Sequence, residues 1–329
     1  MNTERKNWIG PTRRTAIAGG LAAGLMPRVA RAADKMRIVS SQKGFWDTTL
    51  ILFGQQKGIF ADHKLDLDII WSDGGSDIQQ AVITGSTDFG VAPGILGALS
   101  AFEKRAPIAV TNAAMTGSSD LFWYVRAESP IRSLADCNGK TIAFSRPGAS
   151  TELIASTLID HAGVKAKLIG TGGPGATLTQ VMSGQIDVGW SAPTVGLAEE
   201  RAGKLRIIAR GNDAPGLAAQ TVRVGMTNSR FLAERSELLA RLSKGMQQTI
   251  DWAYDGDEAL QMYAELNRVD IATARQARDT NYPKAALALA PIGNIELSIA
   301  QAVKDKRLSK PLTPDQIKAF TANVGRFLA

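Results

Sequence analysis

The chain alternates short apolar runs with longer amphipathic ones from Met36 onward. Arg37–Ser41 and Leu65–Trp71 have the short, partly alternating pattern that is typical of strands. Trp46–Lys57 has the spacing of a helix, and Gly58 is a residue at which helices commonly end. Because strands and helices alternate through short turns that contain Gly or Pro, the pattern predicts an α/β fold with mainly parallel sheets flanked by helices.

The same order of predicted elements occurs twice, at residues 36–113 and at residues 141–209, and a helical region follows from Ser229. A short motif, Gly-x-x-Asp-x-Gly, marks equivalent places in the two series. Its members are Gly85, Asp88 and Gly90 in the first copy and Gly184, Asp187 and Gly189 in the second. We expect the first glycine of each copy to end a helix and the aspartate to introduce a strand. Two copies predict two similar lobes, and a two-lobed protein usually binds its ligand in the cleft between them.

The lobe boundaries follow from two β-like segments that could cross between the lobes. We predict that lobe 1 comprises residues 33–120 together with about 227–329, and that lobe 2 comprises residues 121–226. The crossover hinge segments are predicted at about 121–126 and 221–226. Two crossovers make a hinge that can absorb the backbone change of domain closure.

Residues 1–32 have the features of an export signal. Arg13-Arg14 precedes the apolar, small-residue stretch Ala16–Met26, and a small-x-small pattern offers a cleavage site near Ala32. The arginine pair favours twin-arginine export over an ordinary Sec signal, and either route predicts a periplasmic protein. This segment holds six basic residues against Glu4 alone, so it carries +5 of the formal net charge of +7. The remaining +2 predicts no nucleic-acid partner.

Groups that could form a metal or catalytic centre are scarce in this sequence. Cys137 is the only cysteine, and His63 and His161 are the only histidines. Gly170–Gly175 fits the dinucleotide-binding pattern G-x-G-x-x-G, but Asp187, which would have to bind the ribose, is already explained by the repeat. We therefore predict no metal, no cofactor and no enzymatic activity.

Five stretches carry a family resemblance. They are Gln56–Phe60 ahead of Leu65–Leu67, Gly85–Gly90, Gly184–Gly189, Gly139–Ala143 and Arg146–Gly148. Together they resemble the periplasmic solute-binding proteins of ABC importers, in the group that includes nitrate, taurine and alkanesulfonate receptors and thiamine-precursor binders. The resemblance implies the two-lobed type 2 fold, a monomer, and the transmembrane subunits of an ABC permease as the partner. Relatives of this fold include a thiamine-precursor synthase with a cysteine-rich signature, which a chain with one cysteine lacks.

The predicted ligand site lies at the loops that follow the strands. Ligands of open α/β sheets bind beyond the carboxyl ends of the strands, where loops lead into helix N-termini. Helix N-termini favour anions, an arginine can pair bidentately with a carboxylate or sulfonate, and aromatic side chains there can pack on a ligand or belong to the core. The candidate ligand-binding residues are Gln42, Phe45, Trp46, Gly74, Gly75, Ser76, Pro93, Gly94, Arg146, Gly148, Ser150, Thr151, Gly172, Trp190, Ser191 and Arg223.

The sequence thus predicts a periplasmic substrate-binding protein that captures a small organic solute in the cleft and delivers it to an ABC permease. An anion such as a sulfonate or carboxylate is the preferred ligand. A neutral, pyrimidine-like thiamine precursor is the first alternative, and an enzyme on the same fold is the second. Service to a membrane sensor rather than to a transporter also stays open.

Overall fold

Two sheets organise the computed structural model, which describes residues 33–72 and 74–328. The first sheet has five strands in the order β2-β1-β3-β10-β4. Its strands are β1 (Asp34–Ser41), β2 (Leu65–Ser72), β3 (Phe89–Val91), β4 (Ile108–Thr116) and β10 (Thr221–Asn228). β1 pairs parallel with β2 and β3, whereas β10 runs antiparallel between β3 and β4.

The second sheet repeats this arrangement. Its strands are β5 (Phe122–Arg126), β6 (Thr141–Phe144), β7 (Lys167–Gly170), β8 (Gly189–Ser191) and β9 (Leu205–Arg210). β6 pairs parallel with β7, and a parallel bridge from Ile142 to Val188 joins that pair to the start of β8. β5 runs antiparallel between β8 and β9, so it takes the place that β10 has in the first sheet. The predicted α/β fold is confirmed, but the sheets are mixed and not mainly parallel, because β10 and β5 each run antiparallel to both of their neighbours.

Helices cover the sheets. They are α1 (Trp46–Gln56), α2 (Ile59–Asp62), α3 (Gly75–Thr84), α4 (Ile95–Glu103), α5 (Ser150–Ala162), α6 (Pro174–Met182), α7 (Leu197–Arg201), α8 (Ser229–Glu234), α9 (Ser236–Ala253), α10 (Glu258–Asn267), α11 (Ile271–Gln276), α12 (Ile295–Lys304) and α13 (Pro314–Thr321). α9 packs against α1 and α2, so the C-terminal region returns to the helices of the first sheet. Within residues 33–328, no helix is long and apolar enough to span a membrane. The predicted export signal lies outside the described residues.

The repeated motif has the same structural role in both sheets. Asp88 accepts a hydrogen bond from the backbone N–H of Arg37 in β1 (2.7 Å), and Asp187 accepts one from the backbone N–H of Thr141 in β6 (2.9 Å). Each aspartate therefore ties the entry of its own strand to the neighbouring strand. The glycines that follow the preceding helices are Gly85 (φ 73°) and Gly184 (φ 78°). Their left-handed conformation is one that glycine adopts without strain, so they end the helices as expected.

Two chain segments connect the sheets. Residues 117–121 lead from β4 to β5, and residues 211–220 lead from β9 back to β10. The segments run side by side, because the N–H of Gly117 donates to the carbonyl oxygen of Gln220 at 2.9 Å. A second bond joins the N–H of Gly211 to the carbonyl oxygen of Leu121 at 2.8 Å. These paired segments are the two crossovers between the sheets.

The crossovers differ in position from the predicted hinges. Residues 221–226, which we predicted to be a hinge segment of lobe 2, belong to β10 inside the first sheet. Residues 122–126 likewise form β5 in the middle of the second sheet. Both segments are apolar and β-like because they are central strands, and the connections come immediately before them.

Candidate ligand-binding site

A cleft between the two sheets is lined by loops from both. Its volume is ≈ 380 Å³, including the part that opens to solvent. The lining residues are Ser41, Gln42, Phe45, Thr48, Gly74, Gly75, Ala92, Gly94, Ser145, Ala149, Ser150, Thr151, Trp190 and Arg223. Half of them lie between the end of a strand and the start of a helix, which is where ligands of open α/β sheets bind.

The two sides of the cleft touch at Gly94 and at residues 148–150. The N–H of Gly97 donates across the cleft to the carbonyl oxygen of Gly148 at 3.2 Å. A Cβ atom placed on Gly94 would lie 2.5 Å from the oxygen of Gly148 and 2.6 Å from the nitrogen of Ser150. Only glycine lets the two backbones approach this closely. The structure therefore shows the two sides in a closed arrangement.

Nine of the sixteen predicted residues line this cleft. They are Gln42, Phe45, Gly74, Gly75, Gly94, Ser150, Thr151, Trp190 and Arg223. The lining residues that the sequence analysis missed are Ser41, Thr48, Ala92, Ser145 and Ala149. Ser41 is the last residue of β1 and Ser145 follows β6 directly. A small polar residue at a strand end was the signal that could have identified them.

The other seven predicted residues do not line the cleft, although Gly148 lies at the contact between its two sides. They are Trp46, Ser76, Pro93, Arg146, Gly148, Gly172 and Ser191. Trp46 is fully buried, with its ring centroid 5.2 Å from that of Tyr263, so it belongs to the core. Ser191 is also buried and donates its hydroxyl to the carbonyl oxygen of Val195 at 2.8 Å. Arg146 forms an ion pair with Asp77 of α3, in which Nη1 lies 3.2 Å from Oδ1. These side chains are engaged in intramolecular contacts and are not part of the wall.

Four helix N-termini meet at the cleft. Phe45, Gly74, Gly94 and Ala149 are the N-cap residues of α1, α3, α4 and α5, and all four line it. None of these residues caps its helix with a side-chain hydrogen bond. A helix N-terminus leaves unpaired N–H groups and the positive end of the helix dipole. Convergence of four such ends, three beside the first sheet and one beside the second, favours a negatively charged or acceptor-rich ligand.

Trp190 and Phe45 form the aromatic part of the wall. Trp190 is only 1% exposed, and its Nε1 has no hydrogen-bond partner within the described ranges 33–72 and 74–328. By contrast, the indole of Trp123 donates to the carbonyl oxygen of Ala143 at 2.9 Å. An unsatisfied buried donor costs about 1–3 kcal/mol. A ligand acceptor atom beside Trp190 would remove that cost.

Arg223 lines the cleft, but its guanidinium is bound to protein groups. Nη1 contacts Asp47 Oδ2 at 2.8 Å and Nη2 contacts Asp120 Oδ2 at 2.6 Å. Nε donates to the hydroxyl of Ser150 at 3.1 Å. The ion pairs are inaccessible to solvent, since the three side chains are at most 6% exposed. Arg223 therefore orders the floor of the cleft and joins α5 to β10, whereas the sequence analysis expected it to pair with the ligand.

Two carboxylates share one guanidinium in this cluster. Burial raises the pKa of Asp120 to about 6; Arg223 opposes the shift and the charge of Asp47 adds to it. Burial also disfavours the charge of Arg223, but the carboxylates of Asp120 and Asp47 outweigh that effect and raise its pKa. Arg223 is thus permanently charged. When both aspartates are ionised, these three side chains carry a net negative charge.

The single cysteine lies outside the cleft. Burial raises the pKa of the Cys137 thiol to about 11, and its Sγ contacts the carbonyl oxygen of Ser133 at 3.6 Å. The group is therefore a protonated thiol near neutral pH, which is a poor nucleophile. Over the part of the chain that the structure describes, no cluster of His, Cys, Asp and Glu could hold a metal ion.

Comparisons with known proteins agree with this arrangement. The family model described as NMT1/THI5 like matches residues 46–259. One relative is a Brucella abortus protein that is provisionally named as a binding protein. It is 27% identical to this chain over 266 residues, which cover 79% of this chain and 80% of that protein.

Solved structures give the fold. The alkanesulfonate-binding protein SsuA from Xanthomonas axonopodis pv. citri, bound to MOPS, has a TM-score of 0.71 at 18% identity and covers 88% of this chain and 97% of its own. The periplasmic aliphatic sulphonate binding protein SsuA from Escherichia coli has a TM-score of 0.66 at 16% identity, with 86% and 91% covered. The desulfurization enzyme DSZB, as a cysteine-to-serine mutant in complex with biphenyl-2-sulfinic acid, has a TM-score of 0.61 at 16% identity, with 90% and 99% covered. The predicted periplasmic-binding-protein fold is confirmed.

Proposed function

The chain belongs to the NMT1/THI5-like family, and on that premise we propose that it is a periplasmic solute-binding protein that captures a small organic anion in the cleft and delivers it to an ABC permease. The anion is a sulfonate or a carboxylate. The convergence on one space of four helix N-termini that lack side-chain caps is the observation that carries this proposal.

The available donors suffice for binding without a metal. Hydrogen bonds to a charged group contribute about 1.5–3 kcal/mol each, and each helix end adds about 0.3–1 kcal/mol toward an anion. Micromolar affinity corresponds to about 8 kcal/mol. A few backbone N–H groups together with the indole N–H of Trp190 therefore reach that range, before the apolar contact with Phe45 is included.

The relatives support binding over catalysis. Two of the solved structures are named as sulfonate-binding proteins and the Brucella relative carries a binding-protein name. An enzyme on this fold is the alternative, because DSZB is named as a desulfurization enzyme. The thiol of Cys137 is buried and outside the cleft, which favours the binding role for this chain.

Delivery requires the two sides of the cleft to open and close. Ligand would stabilise the closed arrangement because only that arrangement contacts it from both sheets. The paired crossovers at residues 117–121 and 211–220 are where the backbone would bend. We infer a monomer that reaches the periplasm through the signal at residues 1–32 and presents its closed form to the permease.

A neutral, pyrimidine-like ligand is the second candidate. One observation favours it: Arg223 is already paired with two carboxylates, so the cleft offers no unpaired guanidinium there. Such a ligand would rely on Phe45 for stacking and on Trp190 for a hydrogen bond to a ring nitrogen.

A binding panel distinguishes these ligands. Thermal unfolding and calorimetry of the mature protein with ethanesulfonate, benzoate, nitrate and a 4-aminopyrimidine should give the largest response with one of the organic anions. Ligand at a hundred times its Kd adds about 2.7 kcal/mol to the free energy of unfolding. A response to the pyrimidine alone would overturn the anion assignment, and turnover of any bound compound would overturn the binding role.

A further inference from the structure

A second cavity lies beside the two crossovers, at the β9 edge of the second sheet. It is bounded by α7 and the end of β9 on one side, by both crossovers on another, and by α11 with the turn that follows it on the third. Its volume is ≈ 250 Å³, and it shares no lining residue with the cleft. Because a cavity of about 150 Å³ takes up benzene, this space admits a somewhat larger molecule.

The side of the cavity that the second sheet forms is apolar. Phe122 at the start of β5, Pro193 after β8 and Leu197 of α7 line it. A hydrocarbon group that lies against these side chains is removed from water, which favours binding. The ligand that suits this side therefore has an apolar part.

Two opposite charges also line the cavity. Glu200 belongs to α7 and Arg210 is the last residue of β9, and neither forms an ion pair with another side chain in the described part of the chain. Asp213, the third charged lining residue, accepts the backbone N–H of Arg210 at 2.7 Å. A guanidinium binds a carboxylate bidentately, and a carboxylate binds an ammonium group. One acid and one base without ion-pair partners thus favour a ligand that carries both charges.

Asn281 supplies a third polar group. It is 9% exposed, and its side-chain amide has no hydrogen-bond partner among residues 33–72 and 74–328. It ends the π-helical turn Ala277–Asn281, and turns of this kind are frequent at functional sites. A buried amide without partners is costly, so a ligand that bonds to it gains affinity.

We propose that this cavity is a second binding site, separate from the cleft, for a zwitterionic amino acid with an apolar side chain. The carboxylate of the amino acid pairs with Arg210, and its ammonium group pairs with Glu200. Its side chain lies against Phe122 and Leu197, and the amide of Asn281 bonds to one of its charged ends. The identity of the cleft's ligand does not enter, since the two spaces share no lining residue.

Calorimetry with L-leucine, isocaproate and isopentylamine tests the site. The three probes have the same branched hydrocarbon part, but isocaproate lacks the ammonium group of leucine and isopentylamine lacks its carboxylate. We expect L-leucine to bind about 10- to 100-fold more tightly than either analogue, the range of one hydrogen bond to a charged group. Equal affinity for the three probes, or no binding of L-leucine, would overturn the proposal.

Charge-neutralising variants assign the two ends. Arg210→Gln should remove the advantage of L-leucine over isopentylamine, and Glu200→Gln should remove its advantage over isocaproate. The matched control is Glu199→Gln, because Glu199 is the neighbouring residue of α7 and does not line the cavity. It should leave all three affinities unchanged. The same loss in Glu199→Gln as in Glu200→Gln would contradict a specific pairing with Glu200.

Filling the cavity locates the site. Thr280 is exposed and lines the cavity but not the cleft, so Thr280→Trp should abolish L-leucine binding while the response to the cleft's organic anion persists. Gln276→Trp fills the same space and serves where Thr280→Trp does not fold. L-Leucine binding that survives both substitutions, or that is weakened instead by Trp190→Phe in the cleft, would refute the assignment.

Discussion

Substitution of Gly94 by alanine tests whether the closed arrangement is the binding form. The added Cβ would lie 2.5 Å from the oxygen of Gly148 and 2.6 Å from the nitrogen of Ser150. Both neighbours are backbone atoms of the opposite side, so they cannot turn away as a side chain can. The φ and ψ of Gly94, −67° and 140°, are ordinary for alanine. The substitution therefore strains only the contact between the two sides.

The expected size follows from overpacking. Extra atoms in a close-packed contact cost about 1–3 kcal/mol, which here opposes closure and not folding. Because ligand affinity falls with the population of the closed form, Kd should rise about 5- to 150-fold. Calorimetry with the strongest ligand of the panel measures this, and small-angle scattering of the ligand-bound sample should show a more open particle.

The matched control is Gly175→Ala near the start of α6. A Cβ there would have no atom within 4 Å. Gly175→Ala should leave the Kd unchanged and shift the midpoint of thermal unfolding only slightly. Gly94→Ala should likewise have little effect on the unfolding midpoint of the ligand-free protein. If Gly94→Ala bound the ligand with wild-type affinity, closure across this contact would not be part of binding.

Three further predictions follow from the same geometry. Trp190→Phe keeps an aromatic ring but loses the unpaired N–H, so the Kd of the ligand should rise about tenfold with little change in stability. The control, Trp123→Phe, should instead destabilise the fold, because the indole of Trp123 has a protein acceptor. Folding raises the pKa of Asp120, so the stability that this group contributes is present below pH 4 and is lost, by about 3 kcal/mol, as the pH rises through 6. Denaturant titrations at several pH values should show a flatter dependence of the free energy of unfolding on pH in Asp120→Asn. The same pH dependence in the variant and the wild type would contradict this prediction. Asp88→Ala should lower the free energy of unfolding, measured with urea, by about 2 kcal/mol. Substitution of the exposed Asp66 by alanine should lower it little, and equal effects of the two substitutions would show that Asp88 does not tie the strands.

Local chemistry made the repeat predictable. A glycine that ends a helix and an aspartate that binds the N–H of a neighbouring strand act over short distances, so Gly85 and Asp88 could be assigned from their sequence positions alone. Their twins, Gly184 and Asp187, confirmed the pattern because two sheets of the same topology repeat the same requirement.

Long-range pairing limited the prediction of the site. Arg223 lies in the cleft wall, but its partners Asp47 and Asp120 are 176 and 103 residues away in sequence. No local pattern reports a pairing over such separations. Trp46 and Trp190 present the same limit, since the sequence predicts both near the carboxyl end of a strand. Packing by Tyr263 from a distant helix places the first in the core, whereas the second faces the cleft.

The two copies of the motif diverge where the ligand is expected. Asp88 and Asp187 tie strands in the same way, because both sheets have the same backbone N–H to bind where the strand begins. Beyond them, the first copy leads to Gly94, whose lack of a side chain admits backbone contact from the opposite side. The second leads to Trp190, which offers an aromatic face and a free donor. Because the motif repeats and the lining does not, we expect these few divergent residues to carry the ligand specificity, so that exchanging them should change the ligand while the fold persists.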